Sequence, residues 1–536
     1  MVSALPFDVI AEPDAELQRL FEQDRGSSFP SRVVEHFSSI FADPVFFDKI
    51  PSVDLKQPPE SFKNHALVRF RAMIQDTSAS PEMYLAEAGE ARYGGWGAVH
   101  NTPDEIDYDK LRECSVFWAV SIPGESDWVN KHRSQAEFTH SVPSQPHKYP
   151  QPGALHVGMQ LKVYDMSMAE TLKSTDIATF VGLITYEPVQ RDLDTNDPKT
   201  VPTLHVLFHR AHPITILPFS FPLPLPQGSV PDLRKELIEW IAREALADDV
   251  DAAEWVLLCC LARVQSRMPA IFPPSLTLSR FPSPPTGSSA LPTLHSLLAH
   301  LFPSVSLLPL SLDTINQTAF VPESREEDLH SGWLQLPGGS ICLVTESGVT
   351  EGGVNEKGVF NLRATQEMIT HQVLDYIFPY SSFKFETDIA WVVLSSGRKS
   401  AFFQTNVNIP LVATEKLSST ELTRRLYKSK EEINLPSPNK LDMFRSLVGS
   451  AKVGTAGVTE TAAAYIQDDF VNERKSGSTS STSSSQTAVT ADDLIHKMLI
   501  AKLLALSLHE HEVSVDIWNQ MKQLDARRTE RLNKLE

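Results

Sequence analysis

Between residues 14 and 42 the apolar positions recur at helical spacing. Leu17, Leu20 and Phe21 form one set, and Val33, Val34, Phe37, Ile40 and Phe41 form a second. The stretch DRGSSFPS (24–31) interrupts them and predicts two helices, with Ser31 as the second N-cap. From about residue 65 the period drops to two. ALVRFRAMIQD, SVFWAVSIP (Ser115–Pro123), LKVYD (Leu161–Asp165), IATFVGLITYEP (Ile177–Pro188) and TLHVLFHRA (Thr203–Ala211) read as five short strands separated by irregular loops. That pattern predicts a small barrel, with Gly182 at a bend or bulge.

Pro213 to Asp232 is dense in proline and reads as an extended linker. Beyond it the pattern alternates. LRKELIEWIAREAL and AAEWVLLCCLARVQSR are helical, Ser275–Ser279 is a strand, and ALPTLHSLLAHLF is a helix with Pro292 near its first turn. A turn at Pro337-Gly338-Gly339 leads into the apolar strand Ile341–Val344. A helix is predicted through ATQEMITHQVLDY (364–376), then a strand over Ile389–Ser396. Alternating helices and strands indicate an α/β layer structure. Ser476–Ala488 is Ser/Thr-rich and reads as a flexible tether. Behind it Thr490 and Asp493 match a capping box that starts an apolar helix, and Ser514 caps a last one.

Composition narrows the function classes. The 536 residues carry 48 basic and 67 acidic side chains, for a net charge of −19. Strong duplex binding needs Lys and Arg to displace counterions, so little direct DNA binding is expected. The four cysteines, Cys114, Cys259, Cys260 and Cys342, contain no C-x-x-C and exclude a zinc ribbon or finger. The N-terminus lacks signal-peptide order, and no run of about 18 apolar residues occurs. A cytosolic or nuclear protein with no membrane partner is expected.

The strand–loop–helix step at 275–302 has the order of a phosphate-binding loop but not its chemistry. PSPPTGSS offers one glycine, Gly287, three prolines and no lysine, and Gly-Lys occurs nowhere. Glu346 ends the strand after Thr345, where an ATPase places an Asp and a Glu. Ser395 and Ser396 stand where a sensor would want Asn, and SRF (279–281) precedes the loop slot instead of following the sensor strand. His205 and His209 could chelate a metal from a helix, but Leu204, Val206 and Phe208 favour a strand, which separates them by about 13 Å. His212 completes that triplet. His509 and His511 fit a helix end facing its carbonyls. GESDW (124–128) only resembles the start of a nucleophile elbow. Phe70, Tyr84, Phe117 and Trp118 could stack bases, although strand aromatics are more often core. No catalytic, cofactor-binding or metal-binding residue is assigned, and no cofactor.

The sequence resembles two related families. GWLQLPGGSICLVTES and TADDLIHKMLIAKLLALSLHEHEVSVDIW are similar to the Walker B and lid segments of minichromosome maintenance (MCM) helicase subunits, with Asp492 where those carry a sensor arginine. LVRFRAMIQD with EMYLA, VSIPGESDWV, LKVYD, IATFVGLITYEP, SGWLQLP, DDFVNERK and TADDL with AKLLALSL occur in the order found in the MCM complex-binding proteins, from about residue 15 to 530. The resemblance implies an α+β multidomain chain. A helical N-terminal unit (1–62) precedes an OB-like β-barrel (63–212) and the Pro-rich linker (213–230). A degenerate AAA+-like α/β module (231–475), the tether (476–488) and a helical lid (489–536) follow. It implies a non-enzymatic nuclear protein, with the cytoplasm as second compartment. Its partners would be MCM helicase subunits and, through them, chromatin; its roles would be MCM assembly, MCM removal from chromatin, replication and sister chromatid cohesion. The residues that touch MCM stay unassigned. The alternative is an OB-fold protein that binds single-stranded nucleic acid.

Overall fold

The structure is a computed structural model. It describes residues 6–88, 92–98, 107–129, 145–189, 200–211, 221–224, 229–285, 290–349, 351–414, 417–479 and 490–534. Three helices, α1 (Pro6–Ala11), α2 (Pro13–Gln23) and α3 (Phe29–Ile40), open the chain. The observed cap of α3, Ser28, lies three residues ahead of the predicted one. Pro30 in its first turn is pre-organised for a helix, and Phe29 is buried edge-on to Phe21 and Trp96. Ser31 therefore lies inside α3, where its hydroxyl donates to Asp165 (3.3 Å).

The five barrel strands are β1 (Leu67–Asp76), β2 (Leu111–Val120), β3 (Gly158–Val163), β4 (Ile177–Pro188) and β5 (Thr200–Ala211). β4 has the predicted bounds. β2 begins four residues early because its first half pairs with an edge strand, Glu82–Leu85. β1 pairs with β4, β4 with β5, β5 with β3, β3 with β2, and β2 returns to β1, so the ring closes. Only β3 and β5 run parallel. Val68, Phe70, Ile74, Leu161, Phe180 and Leu204 form one core. Leu67, Val181, Leu183 and Phe208 on the other face pack under α2 and α3. The register slips between Val181 and Gly182. A Cβ at Gly182 would come within 2.1 Å of the His205 carbonyl oxygen, which is why glycine stands at this bulge.

The second sheet is fully parallel: β6 (Leu276–Ser279), β7 (Val305–Ser311), β8 (Ile341–Gly348), β9 (Ala390–Leu394) and β10 (Val407–Pro410), in the order β7-β8-β9-β6-β10. Its strands are buried on both faces, hence the near-continuous apolar runs ICLV and AWVV. Ile341, Leu343 and Val392 join one core, while Cys342, Val344, Trp391 and Val393 join the other. The first core also takes α4 (Ser229–Ala245), α5 (Val250–Leu261), α6 (Thr293–Leu301) and the C-terminal helices α11 (Ala491–Ser507) and α12 (Val515–Asn533). Leu503 is 1% exposed there. Thr490 and Asp493 form the expected capping box, and Ser514 accepts from the Ile517 N–H.

Three sequence expectations are corrected. α7 runs Glu356–His371 and stops at Gln372, whose left-handed φ of 52° ends the helix; Val373–Phe378 is instead a strand, paired with Ser381–Glu386. Helix α10 (Glu460–Thr479), preceded by α8 (Ser419–Leu426) and α9 (Pro438–Val453), takes in the first four residues of the expected tether; 480–488 lie outside the described residues. The expected linker is not wholly extended either. Ser229 and Val230 are helical, and Phe221 and Leu223 pack against the first core. Among the described residues, no helix is long and apolar enough to cross a membrane.

Candidate functional site

In a parallel sheet ligands bind beyond the C-terminal strand ends, where the order reverses. Here that edge is built by the ends of β6, β8 and β9. β6 turns at Arg280, which adopts a left-handed φ of 57°. The Arg280 N–H donates to the Gly397 carbonyl (2.9 Å) and the Phe281 N–H to the Ser395 carbonyl (2.9 Å). Backbone donors that could cradle a phosphate are therefore bonded to the loop after β9. Phe281 is buried and meets Tyr427 edge-on, with centroids 5.9 Å apart. The Tyr427 hydroxyl donates to the Pro282 carbonyl (2.8 Å), and burial pushes its pKa up to about 12. Gly287 lies outside the described residues.

α6 follows, and its N-terminus is the place where a phosphate would sit. It is covered instead: the Lys428 N–H donates to Thr293 Oγ1 (2.7 Å), and Thr293 is fully buried. The Lys428 ammonium is paired with Glu244 (2.8 Å), whose carboxyl also accepts from the Asn434 N–H (3.2 Å). At the end of β8 the Glu346 carboxylate accepts from the Ser400 hydroxyl and from the Ala401 N–H (3.1 and 3.2 Å). Ser395 Oγ donates to the Lys399 carbonyl (3.0 Å). The arginines of α12 are likewise engaged: Arg531 grips Asp249 (2.8 and 2.9 Å) and Asp251 (2.7 Å), and Arg527 bonds Asp251 (2.9 Å). Asp492 lies exposed in the first turn of α11, where a carboxylate suits the helix dipole. Glu346, Ser395 and the turn after β6 thus do come together, and their named groups act as loop anchors.

The other end of α6 is where the sequence reading missed most. Its last carbonyls are capped by the barrel: Ser126 Oγ donates to the Phe302 carbonyl (2.6 Å) and Trp128 Nε1 to the Ala299 carbonyl (2.9 Å). Arg445 lies over the Trp128 ring (4.4 Å) and donates to the His300 carbonyl (2.8 Å). Glu125 pairs with Arg71 (2.9 Å). Gly124 has φ of 67°, and a Cβ there would lie 2.5 Å from Ser306 Oγ. GESDW is therefore a joint between barrel and parallel sheet. A second joint buries Gln75, Ser174, Gln335 and Tyr376 in mutual hydrogen bonds of 2.7–3.3 Å. The cross-unit spacing of these partners left no local sequence signal.

Of the histidines singled out in the sequence, His205, His209 and His509 are structural. His205 is on β5, as its alternation predicted; its Nδ1 faces the Tyr164 hydroxyl (2.7 Å) and its Nε2 faces Thr185 (2.9 Å) and Glu187 (2.8 Å). Burial lowers the His205 pKa. Burial pushes Glu187 up, but His205 and Lys162 overcome it and hold the carboxyl at about 2. His209 stacks on Phe180 (6.0 Å), and His212 is outside the described residues. His509 does not act as a cation at its own helix end. It accepts from the Leu223 N–H (3.0 Å) at Nδ1, bonds the Leu447 carbonyl of α9 (3.0 Å) through Nε2, and burial lowers its pKa. Phe70, Phe117 and Trp118 are buried, leaving only Tyr84 of the four candidate stacking rings partly accessible.

The sequence profile of the family described as Mini-chromosome maintenance replisome factor matches residues 37–151 and 136–532. A chicken (Gallus gallus) protein named Mini-chromosome maintenance complex-binding protein is 23% identical over 644 aligned residues, covering 98% of each chain. The human protein of that name is 22% identical with 98% of each chain covered, and the Arabidopsis thaliana one 23% identical with 93% of each covered.

Proposed function

The chain belongs to the mini-chromosome maintenance complex-binding protein family, and on that premise we propose that it is a non-catalytic partner of the MCM helicase. Its task is to hold MCM subunits during assembly and during their removal from chromatin, in the nucleus, in support of DNA replication and sister chromatid cohesion. The observation that carries this reading is the parallel sheet. Numbered along the chain, its strands lie 5-1-4-3-2 reading from β10, an order that supports the AAA+-like reading, while Thr293, Glu346 and the Arg280 and Phe281 N–H groups at its C-terminal edge are engaged by the protein itself. The barrel supports the same reading. Its closed ring of five strands, 1-2-3-5-4-1 with strands 3 and 5 parallel, supports the OB-like reading. A chain with a helicase subunit's architecture and no phosphate site can offer a ring-subunit-like surface without hydrolysing ATP.

The single-strand-binding alternative is the weaker one, because the stacking aromatics are core and the net charge is −19. Affinity capture of the full chain from nuclear extract, followed by mass spectrometry, tests the proposal. MCM subunits should dominate the captured proteins and survive nuclease treatment. Capture without MCM subunits, or only through nucleic acid, would refute it.

A further inference from the structure

One polar cluster serves neither the blocked edge nor the α6 joint. His147 comes from a 3-10 turn (Pro146–Lys148) of the barrel unit, and Asp328 and His330 come from a short strand (Asp328–His330) of the α/β unit. Two residues apart on one strand, Asp328 and His330 project to the same face. The Ser331 N–H donates to the His147 carbonyl (2.9 Å), which fixes the turn against that strand. His147 Nε2 is 2.7 Å from Asp328 Oδ2, and one ligand atom from each of the three residues lies within 4.8 Å of the others. The two imidazoles are 4.2 Å apart, centroid to centroid.

We propose that His147, Asp328 and His330 form a divalent-cation site, taking Zn²⁺ with water in the fourth position, that staples the barrel to the α/β unit. Two imidazoles and one carboxylate are a donor set that Zn²⁺ favours in three-ligand sites. Charge is also suitable. Lys148 lies 2.5 Å from Asp328 Oδ1 and 2.6 Å from Asp76, so one ammonium faces two carboxylates and the cluster keeps a net negative charge while both imidazoles are neutral. Lys148 holds Asp328 Oδ1, an outer contact that fixes the ligand, and the metal would take the place of the hydrogen bond between His147 Nε2 and Asp328 Oδ2. His147 is a quarter exposed, which leaves an entry path. Tetrahedral zinc sets its donor atoms about 3.3 Å apart, so His147 and Asp328 need separate by only about half an ångström.

The test uses the full chain stripped with chelator and titrated with Zn²⁺ by calorimetry and with Co²⁺ by visible absorption. The wild type should take up one tight equivalent, show tetrahedral Co²⁺ bands, and melt at a higher temperature with zinc. His330→Gln and His147→Gln should each weaken that equivalent at least about tenfold and abolish the zinc-dependent shift. His371→Gln, an exposed histidine elsewhere, should change neither. Far-UV circular dichroism without metal shows which variants are folded. If His330→Gln is not, His147→Gln carries the comparison. No metal uptake by the wild type, or an undiminished equivalent in the folded variants, would overturn the site.

Discussion

The two ends of α6 make opposite use of polar groups. At its N-terminus the groups that could meet a phosphate are turned inward: Thr293 takes the Lys428 N–H, Lys428 takes Glu244, and Glu346 takes the loop at Ser400 and Ala401. All belong to the α/β unit. At its C-terminus the carbonyls of Ala299 and Phe302 are satisfied from the barrel by Trp128 and Ser126, more than 170 residues away in sequence. The N-terminal end closes on groups of its own unit, while the C-terminal end fastens two units together.

Four substitutions separate these two ends. Leu503→Asp should remove both, since it places an unpaired carboxylate in the core shared by α5, α6 and α11. A loss of about 4 kcal/mol or more is expected, seen as insoluble or unfolded protein. Lys452 gives a pH handle on the same core. Its ammonium caps the Cys260 carbonyl (3.1 Å), and burial lowers its pKa to about 8 from 10.5. Between those values the unfolded chain holds more protons, so this group makes stability rise with pH across the window and imposes its full penalty below about 8. The rise amounts to up to about 3 kcal/mol. Lys452→Met should flatten it in denaturation curves taken from pH 7.5 to 10.5.

Trp128→Ala strikes the joint alone. Losing the half-buried indole and its hydrogen bond should cost about 2 kcal/mol and speed proteolysis between barrel and sheet, with the α/β core still folding cooperatively. Glu346→Gln strikes the blocked edge alone. The amide keeps an oxygen for the Ala401 N–H, so the change in melting should correspond to less than about 1 kcal/mol, and MCM capture should persist. Proteolysis that quickens in Glu346→Gln and not in Trp128→Ala would reverse the comparison.

The sequence reading succeeded where the information was local. Ile177–Pro188 has its predicted ends because alternation and the flanking turns coincide, and Gly182 marked its bulge. The Thr490–Asp493 box was visible because its partners are three residues apart. Failures followed from tertiary contacts. Ser31 looked like a cap because its buried neighbour Trp96 was not visible beside Phe29. Val373–Tyr376 passed as helix because its apolar positions match either period and only pairing with Phe383–Glu386 decides. That the loop after β6 lacks the chemistry of a phosphate loop was legible in the missing lysine. The means of its closure was not, because Glu346 and Ser400 are 54 residues apart and Lys428 and Thr293 are 135 apart. The cluster of His147, Asp328 and His330 spans two units and had no signal at all.

The central claim, that this edge is a fold element without nucleotide chemistry, is tested most directly by measuring Mg²⁺-ATP turnover by the purified full chain beside Glu346→Gln. The account predicts no turnover above the buffer control in either protein. Turnover by the wild type that Glu346→Gln abolishes would contradict it.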